Sequence, residues 1–164
     1  MKILKFPKNK DFRGIFKRIY CRKILSLKKI NFDIKQVNTS FNPYKYTLRG
    51  LHYQNGKYAE DKLIYCTKGK FFFVSVNIDK KSKSYLSYKT EILSEDDDKI
   101  LLIGKNHATG FLTLKKNTEL IYLMSNFYNP KFAKGMMYDD KKIGINWPRK
   151  PLIISKKDLN FKSL

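Results

Sequence analysis

Apolar positions along this chain fall in short runs separated by polar turns. Lys62 to Thr67 and Lys70 to Ile78 are two such runs, split by Lys68-Gly69, and the pattern predicts paired strands across a hairpin-like break. Tyr85 to Leu93 alternates loosely. The acidic turn Asp96-Asp97-Asp98 precedes another short strand, Lys99 to Ile103. Phe111 to Leu114 and Glu119 to Met124 predict a further pair around the polar turn Lys115-Lys116-Asn117. There is no long amphipathic helix and no internal repeat. From Asn129 the chain is punctuated by Pro130, Gly135, Gly144, Pro148 and Pro151, which predicts a tail that wraps the barrel. Many short strands with polar turns predict an all-β sandwich or jelly roll, with short peripheral helices or turns in the C-terminal tail.

Length and composition narrow this picture. The 164 residues suit one domain spanning 1–164, large enough for a sizeable core. An apolar fraction of 42% and an aromatic fraction of 15% argue against disorder. The apolar runs are too short to span a bilayer, and Met1-Lys2-Ile3-Leu4-Lys5 lacks the apolar core of a signal peptide, so the expected location is cytoplasmic, with no membrane partner. Cys21 and Cys66 have neither zinc-type nor redox spacing and are expected as free thiols.

The net charge of +21 leaves three partners open: nucleic acid, an acidic membrane surface or a polyanionic small substrate. Most of the basic residues are lysines spread along the whole chain, the pattern of solvated faces. The arginines are Arg13, Arg18, Arg22, Arg49 and Arg149. Lys17 to Lys29 is the one local concentration, and it carries no groove-reading motif, so no nucleic-acid partner is expected.

The segment Leu48-Arg49-Gly50-Leu51-His52-Tyr53-Gln54 carries the clearest chemistry. A histidine can take a proton near neutral pH, and a neighbouring arginine can hold an anion. Together they suggest acid–base chemistry on a phosphorylated ligand. A lone histidine among apolar neighbours is, taken by itself, usually a hydrogen-bonded core residue. A cupin metal site would want a His-x-His pair, a glutamate and a distant third histidine, yet the only other histidine here is His107. No metal site is expected. No phosphate-cradling glycine loop or Gly-x-Ser-x-Gly elbow appears, so catalysis is expected from side chains alone, without a cofactor.

An ordered set of motifs then carries a resemblance. It comprises Asp11-Phe12-Arg13-Gly14-Ile15-Phe16, Gln36-Val37-Asn38-Thr39-Ser40, Leu48 to Gln54, Lys62-Leu63, Gly110-Phe111-Leu112, Tyr122, Asn126 to Pro130, Gly144 to Pro148 and Pro151 to Asp158. In order and spacing this set resembles the dTDP-4-dehydrorhamnose 3,5-epimerase family over nearly the whole chain. The resemblance implies a metal-free cupin-type jelly roll, a homodimer with exchanged N-terminal strands, and a nucleotide-linked 4-keto-6-deoxy sugar as substrate. It implies proton removal beside the ketone and return of a proton to the opposite face.

By the same resemblance His52 is the general base, Asp158 its partner, Lys62 the cation at the ketone oxygen and Tyr122 the acid on the opposite face. Arg13, Phe16, Gln36, Asn38, Arg49, Gln54 and Tyr128 match substrate-binding positions. The chain departs from the family at several points. Thr109 stands where the family has a second active-site histidine, with His107 two places earlier. Phe73 aligns with a family aspartate, Arg18 with an acidic residue, and Tyr138-Asp139-Asp140 with Trp-Asp-Asp. The alternatives are a 3,4-ketoisomerase on the same fold and a non-catalytic basic binding module.

Overall fold

The computed structural model describes residues 1–164, and the chain forms two antiparallel sheets packed face to face. The five-stranded sheet comprises β1 (Lys2–Lys5), β4 (Gln36–Asn42), β6 (Lys62–Lys68), β9 (Lys99–Ile103) and β11 (Thr118–Met124) in the order β1-β9-β6-β11-β4. The second sheet runs β12-β5-β10-β7-β8, with β5 (Thr47–Gln54), β7 (Lys70–Asn77), β8 (Tyr88–Ser94), β10 (His107–Thr113) and β12 (Ala133–Gly135). A short strand, β13 (Ile153–Ile154), pairs parallel to β5. The remaining pair, β2 (Lys8–Asp11) and β3 (Gly14–Lys17), stands apart as its own hairpin.

Two predicted hairpins are corrected. Lys62–Thr67 and Lys70–Ile78 are consecutive strands, but β6 pairs with β9 and β11 while β7 pairs with β8 and β10. Likewise β10 and β11 lie in different sheets. Each of these short connections crosses from one layer to the other, and the two crossings meet at one corner. Gly69 sits there at φ 78°, where a Cβ would come within 2.5 Å of the Thr118 hydroxyl oxygen. A side chain does not fit, so the corner can close only on glycine. The polar residues at these breaks look the same in sequence whether the chain turns back or crosses over.

Burial explains why these runs are almost continuously apolar. Ile64 and Cys66 of β6 face the inter-sheet core with Phe71, Phe73, Leu101, Phe111 and Leu120. The alternate residues Leu63 and Tyr65 face the other way and pack with Leu4, Phe6, Leu25 and Phe32. Leu25 belongs to α1 (Arg22–Leu27), a short helix within the basic segment Lys17–Lys29 that places this one residue in the core. On the far side, Met136, Ile143 and the half-buried Trp147 of the tail cover Leu51, Val74 and Val76. A strand buried on both faces loses the apolar–polar alternation of a half-exposed one. No helix is long and apolar enough to cross a membrane.

Candidate active site

Strand alternation builds the walls of one cavity of about 300 Å³ between the sheets. From the five-stranded sheet, Lys62 and Ile64 of β6 and Leu120, Tyr122 and Met124 of β11 share one face at a spacing of two. From the opposite sheet come His52 and Gln54 of β5, Thr109 and Phe111 of β10, and Phe73 of β7. Arg49 also lines the cavity. Three residues before His52, it would face away in a regular strand. The register between β5 and β10 shifts here: Thr109 opposes His52 and Phe111 opposes Arg49, so β5 carries an extra residue. Gly50, at φ 126°, occupies the irregularity. A Cβ there would lie 2.5 Å from the Gly110 Cα and 2.8 Å from the Thr109 carbonyl oxygen.

The tail completes β5. Its outer edge is paired by β13 at Thr47 and Leu48 and by β12 from His52 to Gln54. Between these contacts the Gly50 N–H donates to Asp158 Oδ2 at 3.0 Å. The other carboxylate oxygen lies 2.8 Å from His52 Nε2. Asp158 is buried in α2 (Lys156–Leu159), a single turn capped by Ser155, whose Oγ accepts the Asp158 N–H at 3.0 Å. Burial pushes the Asp158 carboxyl up, but the hydrogen bonds from His52 and Gly50 outweigh it and hold it below the ordinary value. Phe161 meets the His52 ring edge-on, with centroids 5.8 Å apart, and rests on Gly135, which has no side chain to displace it.

Lys62 is buried, and its Nζ donates to Thr109 Oγ1 at 2.9 Å and lies 3.3 Å from Glu60 Oε1. Burial lowers its pKa, opposed by Glu60. Burial raises the Tyr122 phenol, against weaker pulls from Arg49 and Ser40, so Tyr122 keeps its proton at neutral pH. The inward-facing residues of β4 support the site: Asn42 Oδ1 accepts from Arg49 Nε at 2.8 Å, and Gln36 Oε1 accepts the Tyr128 N–H.

Not every expected residue reaches the cavity. His52, Lys62, Tyr122, Arg49, Gln54 and Tyr128 line it, and Asp158 reaches it through His52. Gln54 is spent on the protein itself. Its Nε2 faces Glu60 Oε2 and the carbonyls of Tyr58 and Phe127, and its Oε1 accepts the Asn129 N–H at 2.6 Å. Gln36 and Asn38 lie on the edge strand β4, outside the lining. Arg13 and Phe16 do not line it in this chain, because β2 and β3 form a separate exposed hairpin. Arg13 pairs there with Asp11 at 2.7 Å, and Phe16 is 63% exposed. His107 is held by its own turn, Nδ1 lying 3.0 Å from the Lys105 carbonyl oxygen, and does not line the cavity.

Sequence reasoning missed Glu60, Phe161, Lys134 and Lys157, all of which line the cavity. The signals available were faint: an acid two residues before Lys62, and an aromatic three residues after Asp158. Both free cysteines, Cys21 and Cys66, lie outside the lining. No group of three or more His, Cys, Asp or Glu side chains is arranged to hold a metal ion.

Comparison with known proteins agrees with this geometry. The family model for dTDP-4-dehydrorhamnose 3,5-epimerase matches residues 1–164. The enzyme of that name from Sinorhizobium fredii is 32% identical over 165 residues, covering 100% of this chain and 85% of its own. The crystal structure of the Bacillus anthracis enzyme, with TDP and PPi bound, superposes with a TM-score of 0.96 at 32% identity, over 99% of this chain and 93% of that one. A Legionella pneumophila relative in complex with dTDP-4-keto-L-rhamnose gives a TM-score of 0.91 at 29% identity, over 98% of this chain and 86% of that one. With a cupin-like sandwich, a His–Asp pair facing a tyrosine, and a family match from end to end, this chain belongs to the dTDP-4-dehydrorhamnose 3,5-epimerase family.

Proposed function

We propose that the protein epimerises a dTDP-linked 4-keto-6-deoxy sugar by proton removal and return beside the ketone, with residues 1–164 acting as one domain. The observation that carries this reading is the placement of a carboxylate-paired histidine and a protonated tyrosine on opposite walls of one cavity, with a buried lysine beside them. His52 takes the proton from the carbon adjacent to the ketone, and the electron pair moves onto the ketone oxygen. Lys62 stabilises the negative charge that develops there; a fixed donor aimed at developing charge lowers the barrier. Tyr122 delivers its proton to the opposite face of the carbon, which inverts the centre. The imidazolium then loses its proton and the phenolate regains one through solvent. Asp158 orients the His52 ring and stabilises its charged form.

Arg49, Lys134 and Lys157 line the same cavity and supply positive charge for a diphosphate. We further propose a homodimer in which the partner's β2–β3 hairpin reaches this cavity. The hairpin leaves Phe12 98% exposed, with Ile15 and Phe16 also uncovered, an apolar surface that suits burial against a second chain. Light scattering on the purified protein tests the dimer, and a monomer at micromolar concentration refutes it.

Incubation with dTDP-4-keto-6-deoxyglucose in heavy water tests the chemistry. Deuterium at C3, C5 or both, with inverted product by NMR, is the expected result. A carbonyl moved to C3 would establish a ketoisomerase instead. Absence of exchange with several nucleotide 4-keto sugars would refute the proposal.

A further inference from the structure

Lys62 is held by more than its place on β6. Its ammonium has three N–H bonds. One donates to Thr109 Oγ1 at 2.9 Å, and a second has Glu60 Oε1 within 3.3 Å. One donor is left for the cavity that Lys62 lines. Glu60 is itself immobilised: its side chain is 3% exposed, and its other oxygen accepts from Gln54 Nε2 at 3.0 Å. Gln54 is fixed in turn to Tyr58, Phe127 and Asn129. A carboxylate buried at this depth needs a cation or several donors, and Lys62 and Gln54 are what it has.

We propose that Glu60 is a positioning residue, which keeps Lys62 as a charged, single-donor ammonium aimed at the substrate oxygen; this rests on the epimerase reading. The charge balance around Lys62 supports the assignment. Burial acts to strip its proton, and Glu60 is the group that opposes this. The other charged groups on the cavity are the cations Arg49 of β5, Lys134 of β12 and Lys157 of α2, none of which can serve as a negative partner for Lys62. His52 faces the cavity from β5 already paired with Asp158. Tyr53, Tyr122 and Tyr128 also line the cavity and are neutral when protonated. Glu60 is the only carboxylate among the lining residues.

The test uses two neutral variants, Glu60→Gln and Glu60→Ala, so that a failure of either to fold leaves the other. The full-length protein carries ¹³C at the lysine ε-carbon, and the Lys62 signal is identified by its loss in Lys62→Met. Titration by NMR is expected to show the Lys62 midpoint falling by about one to three pH units in the neutral variants. The alkaline limb of the proton-exchange rate should move down by the same amount. Glu60→Asp, which keeps the charge, should stay closer to the wild-type midpoint than either neutral variant. A Lys62 midpoint unchanged in the neutral variants overturns the proposal, whatever happens to the rate. The titration needs no turnover, so a displaced midpoint in a protein that exchanges no sugar proton upholds the role of Glu60 and removes only the epimerase reading.

Discussion

Asp158→Asn isolates the contribution of the charge behind the proposed base, His52. The carboxylate is 5% exposed and has two partners, the His52 ring at 2.8 Å and the Gly50 N–H at 3.0 Å. Asparagine keeps one oxygen to accept the Gly50 N–H and turns its amide toward the ring. The loss therefore falls on His52. A hydrogen bond to a charged group contributes about 1.5–3 kcal/mol, which converts to roughly 10- to 150-fold in rate. The His52 side chain is 45% exposed, and solvent screening places the expected loss toward the lower end of that range. The assay is the initial rate of deuterium uptake beside the sugar ketone. Stability provides a second readout. The folded carboxyl titrates below its ordinary value of 3.8, so its stabilising contribution is complete above that pH and disappears as pH falls through the depressed folded value. The stability gap between wild type and Asp158→Asn should therefore close on acidification below about pH 4. Wild-type exchange by the variant, or a gap that widens in acid, would refute the reasoning.

Three further outcomes are expected. Tyr122→Phe should still exchange substrate protons through His52 while forming inverted product about 10²–10⁴-fold more slowly, measured by NMR of the sugar; equal inversion would leave Tyr122 as a wall residue. Gly50→Ala introduces a Cβ against the Gly110 and Thr109 backbone at positive φ, which should cost about 2 kcal/mol or more and lower Tm by several degrees; an unchanged calorimetric Tm would show that β5 can shift freely. Cys66 is buried, and burial pushes its thiol up to about 12, so at pH 8 a thiol reagent should label the half-buried Cys21 alone until the protein is unfolded. Two equivalents of rapid labelling in the folded protein would contradict that burial.

Much of the candidate site was legible because its residues fall within an ordered set of motifs: the Leu48–Gln54 segment, Lys62, Tyr122 and the Pro151–Asp158 tail. Strand positions were also legible where apolar runs are short and bounded, and Lys99–Ile103 lies where the pattern places it. Sheet membership was not. β6 and β7 are apolar on both faces, so neither carries an alternation that would identify its partner, and a polar break serves a crossing as well as a hairpin. The placement of Arg49 beside His52 depended on an extra residue at Gly50, a register shift created by pairing with β10. Gln54 matched a substrate position, yet its hydrogen-bonding groups face Glu60 and the Tyr58, Phe127 and Asn129 backbone, partners up to 75 residues away in sequence. Glu60 and Phe161 drew no notice in the sequence, because a charge beside a lysine and an aromatic in a tail are ordinary until burial fixes what they touch. Residue chemistry and spacing thus determined which groups could react. Long-range pairing and desolvation, which no local pattern encodes, decided which of them share the cavity and in what charge state.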